Sequence, residues 1–443
     1  MNSNTPHAAG GSSGSSGSAG TAPRGNDLSE SALVALQLAD LPEVQKAKKV
    51  VRDFFFLPHA PSGNAEVMDT LDDAIDETAF AAMLAIAGSD PMNPRFALYE
   101  AMPYTVLGKQ IPGSRYGFDN ADRAFRHFFV NPAFRYEIRG RRPKGGNSTN
   151  LVLEACEDKP PGWGYPLTFL RLKDMVIDAD GSFVITADSG PASDRANHLW
   201  LPPGAAHVLI RDTYLDWATE LPTELSVRRI SGPSAAPRLS FETMARQAAP
   251  KVVEHAMNTF RFYDWGVAPI PMNTIQVPLI RPAPPGETPW GMTSVGRFLF
   301  ARDEAMVFTI DPVSAQYLGV MLATAWMVGR DYAKHTGSLN NFQAAANPDG
   351  SITYVVAARD PGVRNWLDTD GLHEGLMLLR WEMLRSTPDP NKAVRDVKIV
   401  KLADIAASLP FPTARFTEEQ RREQIQHRRV GFERRLAALL PAG

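Results

Sequence analysis

Residues 180–217 read DGSFVITADSGPASDRANHLWLPPGAAHVLIRDTYLDW, and residues 349–384 read DGSITYVVAARDPGVRNWLDTDGLHEGLMLLRWEML. Each stretch opens on Asp-Gly-Ser, runs through an alternating apolar strand and then makes an acidic, Pro-bearing turn. Each continues with an Asn and a Trp-Leu pair, Asn197 with Trp200-Leu201 and Asn365 with Trp366-Leu367, and closes on an apolar strand ending in Arg211 or Arg380. A module that recurs within one chain decides the architecture before any single element does. The two copies predict a duplicated β-fold. In this alignment the first copy carries an insertion, His198-Leu199, between its Asn and its Trp.

Working outward, the apolar period is two from Phe134 to Ile230. Short strands are expected at Phe134–Gly140, Asn150–Cys156, Leu167–Leu172, Phe183–Ala187, Ala206–Arg211 and Leu225–Ile230, with turn residues between them. That spacing belongs to a sandwich or jelly roll. Strands resume at Val295–Ala301, Met306–Ile310, Leu318–Met327, Ile352–Ala358, Gly375–Trp381 and Val397–Lys401. Before the first module the pattern is helical. Asp40-Leu41-Pro42-Glu43 reads as a helix start with Asp40 as cap, and Leu71–Ala87 and Phe96–Leu107 read as further helices. Phe241–Phe262 reads as a helix broken or kinked at Pro250, and the Pro-rich stretch 266–292 as a surface wrap. Thr417-Glu418-Glu419-Gln420 opens a C-terminal helix with a capping box.

The fold expected is therefore α+β, with two duplicated antiparallel β-sandwich or jelly-roll-like modules between an N-terminal helical region and a long C-terminal helix. The divisions fall at 1–27 (a Gly/Ser-rich tail expected to be disordered), 28–115 (helical), 116–231 (first module), 232–293 (helix and Pro-rich connector), 294–401 (second module) and 402–443 (helical tail).

The pattern Asp-Gly-Ser, strand, Pro, Asn-Trp-Leu, Gly, strand, Arg resembles the bacterial domain-of-unknown-function family numbered 1214, and the N-terminal part resembles the related family numbered 1254. Residues 295–384 match best. The stretch RYGFDNADRAFRHFFVNPAFRYEIRGRR (115–142) is also similar, with Gly117-Phe118-Asp119-Asn120-Ala121-Asp122 carrying an element in which Pro is usual where Ala121 stands. The resemblance implies paired sandwich domains with helical additions and brings no catalytic residue.

Composition narrows the function classes. Lys+Arg 46 against Asp+Glu 49 leaves a formal charge of −3, so no basic excess points to nucleic acid. Six arginines of the C-terminal helix, Arg421, Arg422, Arg428, Arg429, Arg434 and Arg435, are interleaved with glutamates and read as a solvated, salt-bridged face. No apolar run reaches membrane-spanning length, and a cytoplasmic location is the expectation. The single cysteine, Cys156, reads as a small buried hydrophobe. P-loop, Rossmann and His-Glu-x-x-His patterns are absent from the sequence.

Four groups of residues could carry chemistry. Asp119, Asn120 and Asp122 open a Phe/His-rich stretch and could line a pocket with His127, making Asp119, Asp122 and His127 the candidate catalytic set. The competing reading has Asp119 or Asn120 capping a helix over Arg123–Phe129. His127, His198 and His207 with Asp212 and Asp216 match no tight metal-ligand spacing, so no metal ligand is assigned. Asn197/Asn365 and Arg211/Arg380, being repeated, read first as structural, with Arg211 and Arg380 also candidates for binding. Trp163 and Tyr165 of the PPGWGYP loop, with Tyr263, Trp265 and Trp290, are aromatics of the kind that grip a flat ligand at a sandwich rim, or that seal a seam between domains. Together these predict an enzyme of small-molecule or carbohydrate catabolism, hydrolytic in type, with its cleft between the two modules. No cofactor is indicated. The alternative is a non-catalytic ligand-binding or assembly protein, a homo-oligomer built through the C-terminal helix.

Overall fold

The structure is a computed structural model that describes residues 26–61, 64–157, 166–191, 195–234, 237–283 and 286–440. Three helices of ten or more residues come first: α1 (Asn26–Ala39), α2 (Pro42–Val51) and α3 (Leu71–Ala87). A short strand, β1 (Ala97–Tyr99), leads to eight strands of the first module. These are β2 (Arg123–Phe129), β3 (Arg135–Arg141), β4 (Asn150–Glu157), β5 (Pro166–Arg171), β6 (Ser182–Asp188), β7 (His198–Trp200), β8 (Ala205–Thr213) and β9 (Glu224–Ser231). Helix α4 (Phe241–Gly266) and the Pro-rich connector follow. The second module comprises β10 (Gly291–Leu299), β11 (Glu304–Ile310), β12 (Ala315–Ala323), β13 (Ser338–Asn340), β14 (Ile352–Ala357), β15 (Trp366–Asp368), β16 (Glu374–Leu384) and β17 (Val394–Lys401). Helix α5 (Glu418–Leu439) ends the fold.

The duplication holds strand for strand. The first module pairs β2-β8-β4-β5 in one sheet and β9-β3-β6-β7 in the other. The second pairs β10-β16-β12-β13 and β17-β11-β14-β15, the same order with every index raised by eight. In each module one pair is parallel, β6 with β7 and β14 with β15, and the rest are antiparallel. Shared turn chemistry sets this frame. Asp180 and Asp349 each accept the backbone N–H and hydroxyl of the serine two residues on, with Gly181 and Gly350 at φ of 86° and 84°. Asn197 closes a two-bond bracket on Val176, accepting its N–H and donating to its carbonyl, and Asn365 does the same to Ala345.

The strand register corrects the sequence alignment between the copies. Thr186 stands opposite His198 and Val355 opposite Trp366, and the N–H groups of Thr186 and Val355 donate to Asn197 and Asn365. His198 therefore occupies the place of Trp366, with no insertion. The shared Trp-Leu letters are offset by two residues.

Each module packs its two sheets face to face. In the second, Met306, Phe308 and Ile310 meet Leu318, Val320 and Leu322 with Met377, Leu379 and Trp381 across the gap. Each such side chain contributes about 1.5–3 kcal/mol on burial. The outer face of β2-β8-β4 is covered by α3 and α4 and by the outer face of β10-β16-β12. One core cluster accordingly runs from the N-terminal helices into Val295, Met321 and Leu378.

Several local readings change. Arg123–Phe129 is a strand, not a capped helix, because both of its faces are covered and its alternation is masked. Asn120 turns back on the N–H of Asp122 instead of capping a helix. Phe96–Leu107 is not helical: Ala97–Tyr99 joins the sheet edge, and Tyr104–Val106 pairs with Lys109–Ile111 through a turn at Leu107-Gly108, whose φ values of 46° and 72° suit a tight hairpin. The cap before α2 is Leu41, without a side-chain bond, not Asp40. Helix α4 passes through Pro250 unbroken, held by an apolar stripe at Met244, Ala248, Val252, Ala256 and Phe260.

Helix α5 is not a solvated face all round. Arg421, Arg428 and Arg435, seven residues apart and so on one side, are buried, while Arg422, Arg429 and Arg434 stay exposed. Arg428 donates to the Tyr332 carbonyl and lies 4.4 Å over the Trp217 ring. Arg435 donates to the Ala121 carbonyl over Tyr214 and Trp217. The helix is thus riveted to both modules. Among the described residues, no helix is long and apolar enough to cross a membrane.

Candidate functional site

Strand alternation on the outer face of the first module builds the site. Ala124 and Phe128 of β2, Leu153 and Ala155 of β4, and Val208 and Ile210 of β8 point into the sandwich core. Their neighbours Arg123, Phe125 and His127, then Glu154 and Cys156, then Leu209 and Arg211, point the other way. The second module opposes them with Tyr317 of β12 and Arg380 and Glu382 of β16. Between the modules lies a charged seam.

Arg123 pairs with Glu382, both side chains almost fully buried. Arg211 donates to Glu154 at 2.6 Å. Arg380 donates to the carbonyls of Phe118 (2.8 Å) and Asp119 (3.2 Å). Arg281, from the Pro-rich connector, lies 5.1 Å over the Trp290 ring, and Arg123 lies 6.0 Å from the same ring. Arg123 and Arg211 also share the Phe125 ring, at 5.8 and 6.0 Å. Among the described residues the Arg281 guanidinium has no hydrogen-bond partner. Burial first, and Arg211 next, push its pKa down to about 10.

Two carboxyls complete the seam. Glu100, at φ of 50° just beyond β1, is buried and pushed up to about 8 by desolvation and then by Asp119, against the pull of Arg380, Arg211 and Arg123. It holds its proton at neutral pH. Asp119 is raised to about 6 by burial, although Arg115 and the Gly329 N–H, which donates to it at 2.8 Å, favour the charge. Its second oxygen is buried without a partner. A protonated and an ionised carboxyl beside an excess of guanidinium groups can bind an anion and supply a proton to it.

The expected residues divide. Asp119, Arg211, Trp290 and Arg380 meet in or beside this seam. Asp122 does not stand free to react: it accepts from Trp217 Nε1 (2.8 Å), Asn340 Nδ2 (2.8 Å) and the Tyr317 hydroxyl (2.9 Å), and so fastens the modules together. Asn120 joins the same knot through Tyr317. His127 faces a separate pocket with Tyr99, Tyr116 and His255, so the expected trio of Asp119, Asp122 and His127 is not one constellation. Tyr263 packs with His59 and Phe260, and exposed Trp265 against Phe262, in the aromatic cluster of α4 and outside the seam. Trp163 and Tyr165 lie outside the described residues. His198 contacts Arg195 and Thr186, and Asp212 is bound to Arg126, Ser148 and Thr223. Among the described residues no group of His, Cys, Asp and Glu is placed to hold a metal ion. Cys156 is buried, and its thiol is pushed up in pKa by that burial, as suits a packing residue.

Sequence reading missed Glu100, Arg123, Glu154, Arg281 and Glu382. Arg123 sits on a strand buried on both faces, so its alternation with Phe125 and His127 is masked in the sequence. Arg281 and Trp290 both lie in the Pro-rich connector. Glu100 and Glu382 carry no local mark.

No family model matches the chain, and neither does any curated protein. A crystal structure of an uncharacterised protein from Burkholderia cenocepacia is similar, with a TM-score of 0.67 at 24% identity over 84% of this chain and 98% of that one. At that identity the likeness is one of fold. A Vibrio parahaemolyticus protein matches at a TM-score of 0.38 and 10% identity, over 64% of this chain and 89% of that one.

Proposed function

We propose that this chain is an enzyme of small-molecule catabolism that takes a small organic anion into the seam between its two sandwich modules. Arg281 carries the reading: a half-buried guanidinium stacked on Trp290, with no carboxylate bonded to it among the described residues, next to Arg123 and Arg211. A substrate carboxylate or phosphate would take up its donors, and Trp290 would cover a flat or apolar part of the same molecule. Glu100, protonated at neutral pH, is the group suited to give a proton to a leaving oxygen in a hydrolytic step. Asp119 is the neighbouring carboxyl. The resemblance to the family numbered 1214 belongs to this proposal and assigns no further role.

The test is a thermal-shift screen of the full chain against small carboxylates, sugar acids and phosphate esters, since a ligand of the folded state raises the melting temperature. The expected result is a shift confined to anions that disappears in Arg281→Gln. Glu100→Gln should keep the shift and lose turnover of the ligand found. Shifts from neutral compounds alone, or an anion shift untouched by Arg281→Gln, would refute the reading.

A further inference from the structure

Further along the same sheet face, a second cavity stands apart from the seam. It has a volume of about 60 Å³ and lies between β2 and β8 on one side and α4 on the other. Such a space accommodates a molecule of a few heavy atoms. Its polar lining is unusual. His127, His255 and Asn258 are each more than nine-tenths buried, and His127 Nε2, His255 Nδ1 and Asn258 Oδ1 have no hydrogen-bond partner. Buried polar atoms are seldom left so, and three around one cavity mark a place where something else completes the bonding.

We infer that this cavity is a binding site for a small monoanion of the short-chain carboxylate type, held by His127 and His255 and bound together with a proton. Charge selects the class. Besides burial, His207, His255 and Lys251 oppose a positive charge on His127 while the Leu84 carbonyl favours it, and Lys251 opposes one on His255 while the carbonyl of the same lysine favours it. The other titratable groups facing them are Glu254, already bonded to Lys251 at 2.9 Å, the hydrogen-bonded pair Tyr99 and Tyr116, and Cys156 beneath those rings. Both imidazoles are therefore neutral when the cavity is empty, burial pushing each down to about 3. An anion reverses the local field, and an imidazolium formed beside it makes a charge-assisted hydrogen bond. Leu209, Phe129 and Ala85 supply an apolar wall for a short alkyl group. This inference is independent of the seam.

The experiment is calorimetric titration of the full chain with acetate and, as its neutral counterpart, acetamide. It is run between pH 8 and pH 6 in two buffers of different protonation enthalpy. Acetate should bind with uptake of one proton, its affinity rising about tenfold for each unit the pH falls. His127→Gln and His255→Gln should weaken it at least about tenfold and remove the pH dependence, while Arg281→Gln keeps both. Should either histidine variant fail to fold, Asn258→Asp sets a carboxylate in the cavity and should repel acetate while the protein still melts cooperatively. Equal binding of acetamide, an acetate affinity that ignores pH, or no heat from acetate would each overturn the inference.

Discussion

The two modules share strand order, turn aspartates and bracketing asparagines, yet their outer sheet faces differ. On the first module that face carries Arg123, His127, Glu154 and Arg211. On the second, Arg380 and Glu382 stand among Gly291, Val295 and Gly319, and Arg380 is bonded to carbonyls of the other module. Residues kept in both copies hold the frame. In the seam the recurring Arg211 and Arg380 stand with residues that differ between equivalent strands, Arg123, Glu154 and Glu382, and the cavity is lined from the first copy. The recurring turn aspartates and bracketing asparagines serve the fold common to both copies, while most of the charged groups of the seam belong to one copy alone.

The comparison can be broken most severely at Arg123. Arg123→Ala leaves Glu382 buried and unpaired and should cost about 3–5 kcal/mol, read from urea unfolding. Replacing both partners, Arg123→Met with Glu382→Leu, should recover most of that loss. A cost near zero for the single variant would mean that water enters the seam and that the modules dock by other contacts.

The frame residues come next. Asn197→Ala and Asn365→Ala each remove a bracket to a backbone N–H and carbonyl, and each should cost about 1–3 kcal/mol. The sharper expectation is that the two costs agree within about 1 kcal/mol. A large loss at one and none at the other would show that the copies have diverged in structure as well as in face chemistry.

Two titrations complete the set, and they run in opposite directions. Glu100 goes from an ordinary 4.5 to about 8 on folding, so between those values the unfolded chain holds fewer protons. Stability therefore falls as pH rises across that window, and Glu100→Gln should flatten the fall. His127 goes from 6.5 to about 3, so the unfolded chain holds more protons between those values. Stability is lost as pH drops from 6.5 towards 3, and His127→Gln should lessen that loss. Melting temperatures at pH 5, 6.5 and 8 separate the two; parallel profiles for wild type and variants would place both groups in water.

Much of the frame was legible in the sequence because turn chemistry is local. Asp-Gly-Ser at 180 and 349 demands a tight turn, and the Asn before each short strand was marked by its repetition, although its bracket closes on Val176 or Ala345, 21 or 20 residues back. The class of fold and most strands followed. What stayed hidden was long-range. Arg123–Phe129 is covered on both faces, so no hydrophilic side marks it as a strand. Glu382 finds its partner 259 residues away in the chain. The arginines of α5 interleave with glutamates and read as solvated until the aromatic rings of Trp217 and Tyr214, from the other end of the fold, are brought beneath them. The site was legible only in part for the same reason. Asp119, Arg211, Trp290 and Arg380 stood out by composition or repetition, but pocket partners such as Glu100 and Arg281 have no signature apart from the fold.

The arginines of α5 also impose an order on how the molecule is made. Domains of a growing chain fold as units, the earlier ones first. The first module can close its own two sheets while the second is still being synthesised. Trp217, Tyr214 and the Ala121 carbonyl must then wait for residues 421–435, which are synthesised after both modules. Until they arrive, a patch of aromatic rings on the finished half stays uncovered. A message cut short before Thr417 would release a protein carrying both sandwiches and an open, adhesive flank, a natural target for chaperones and quality-control proteases.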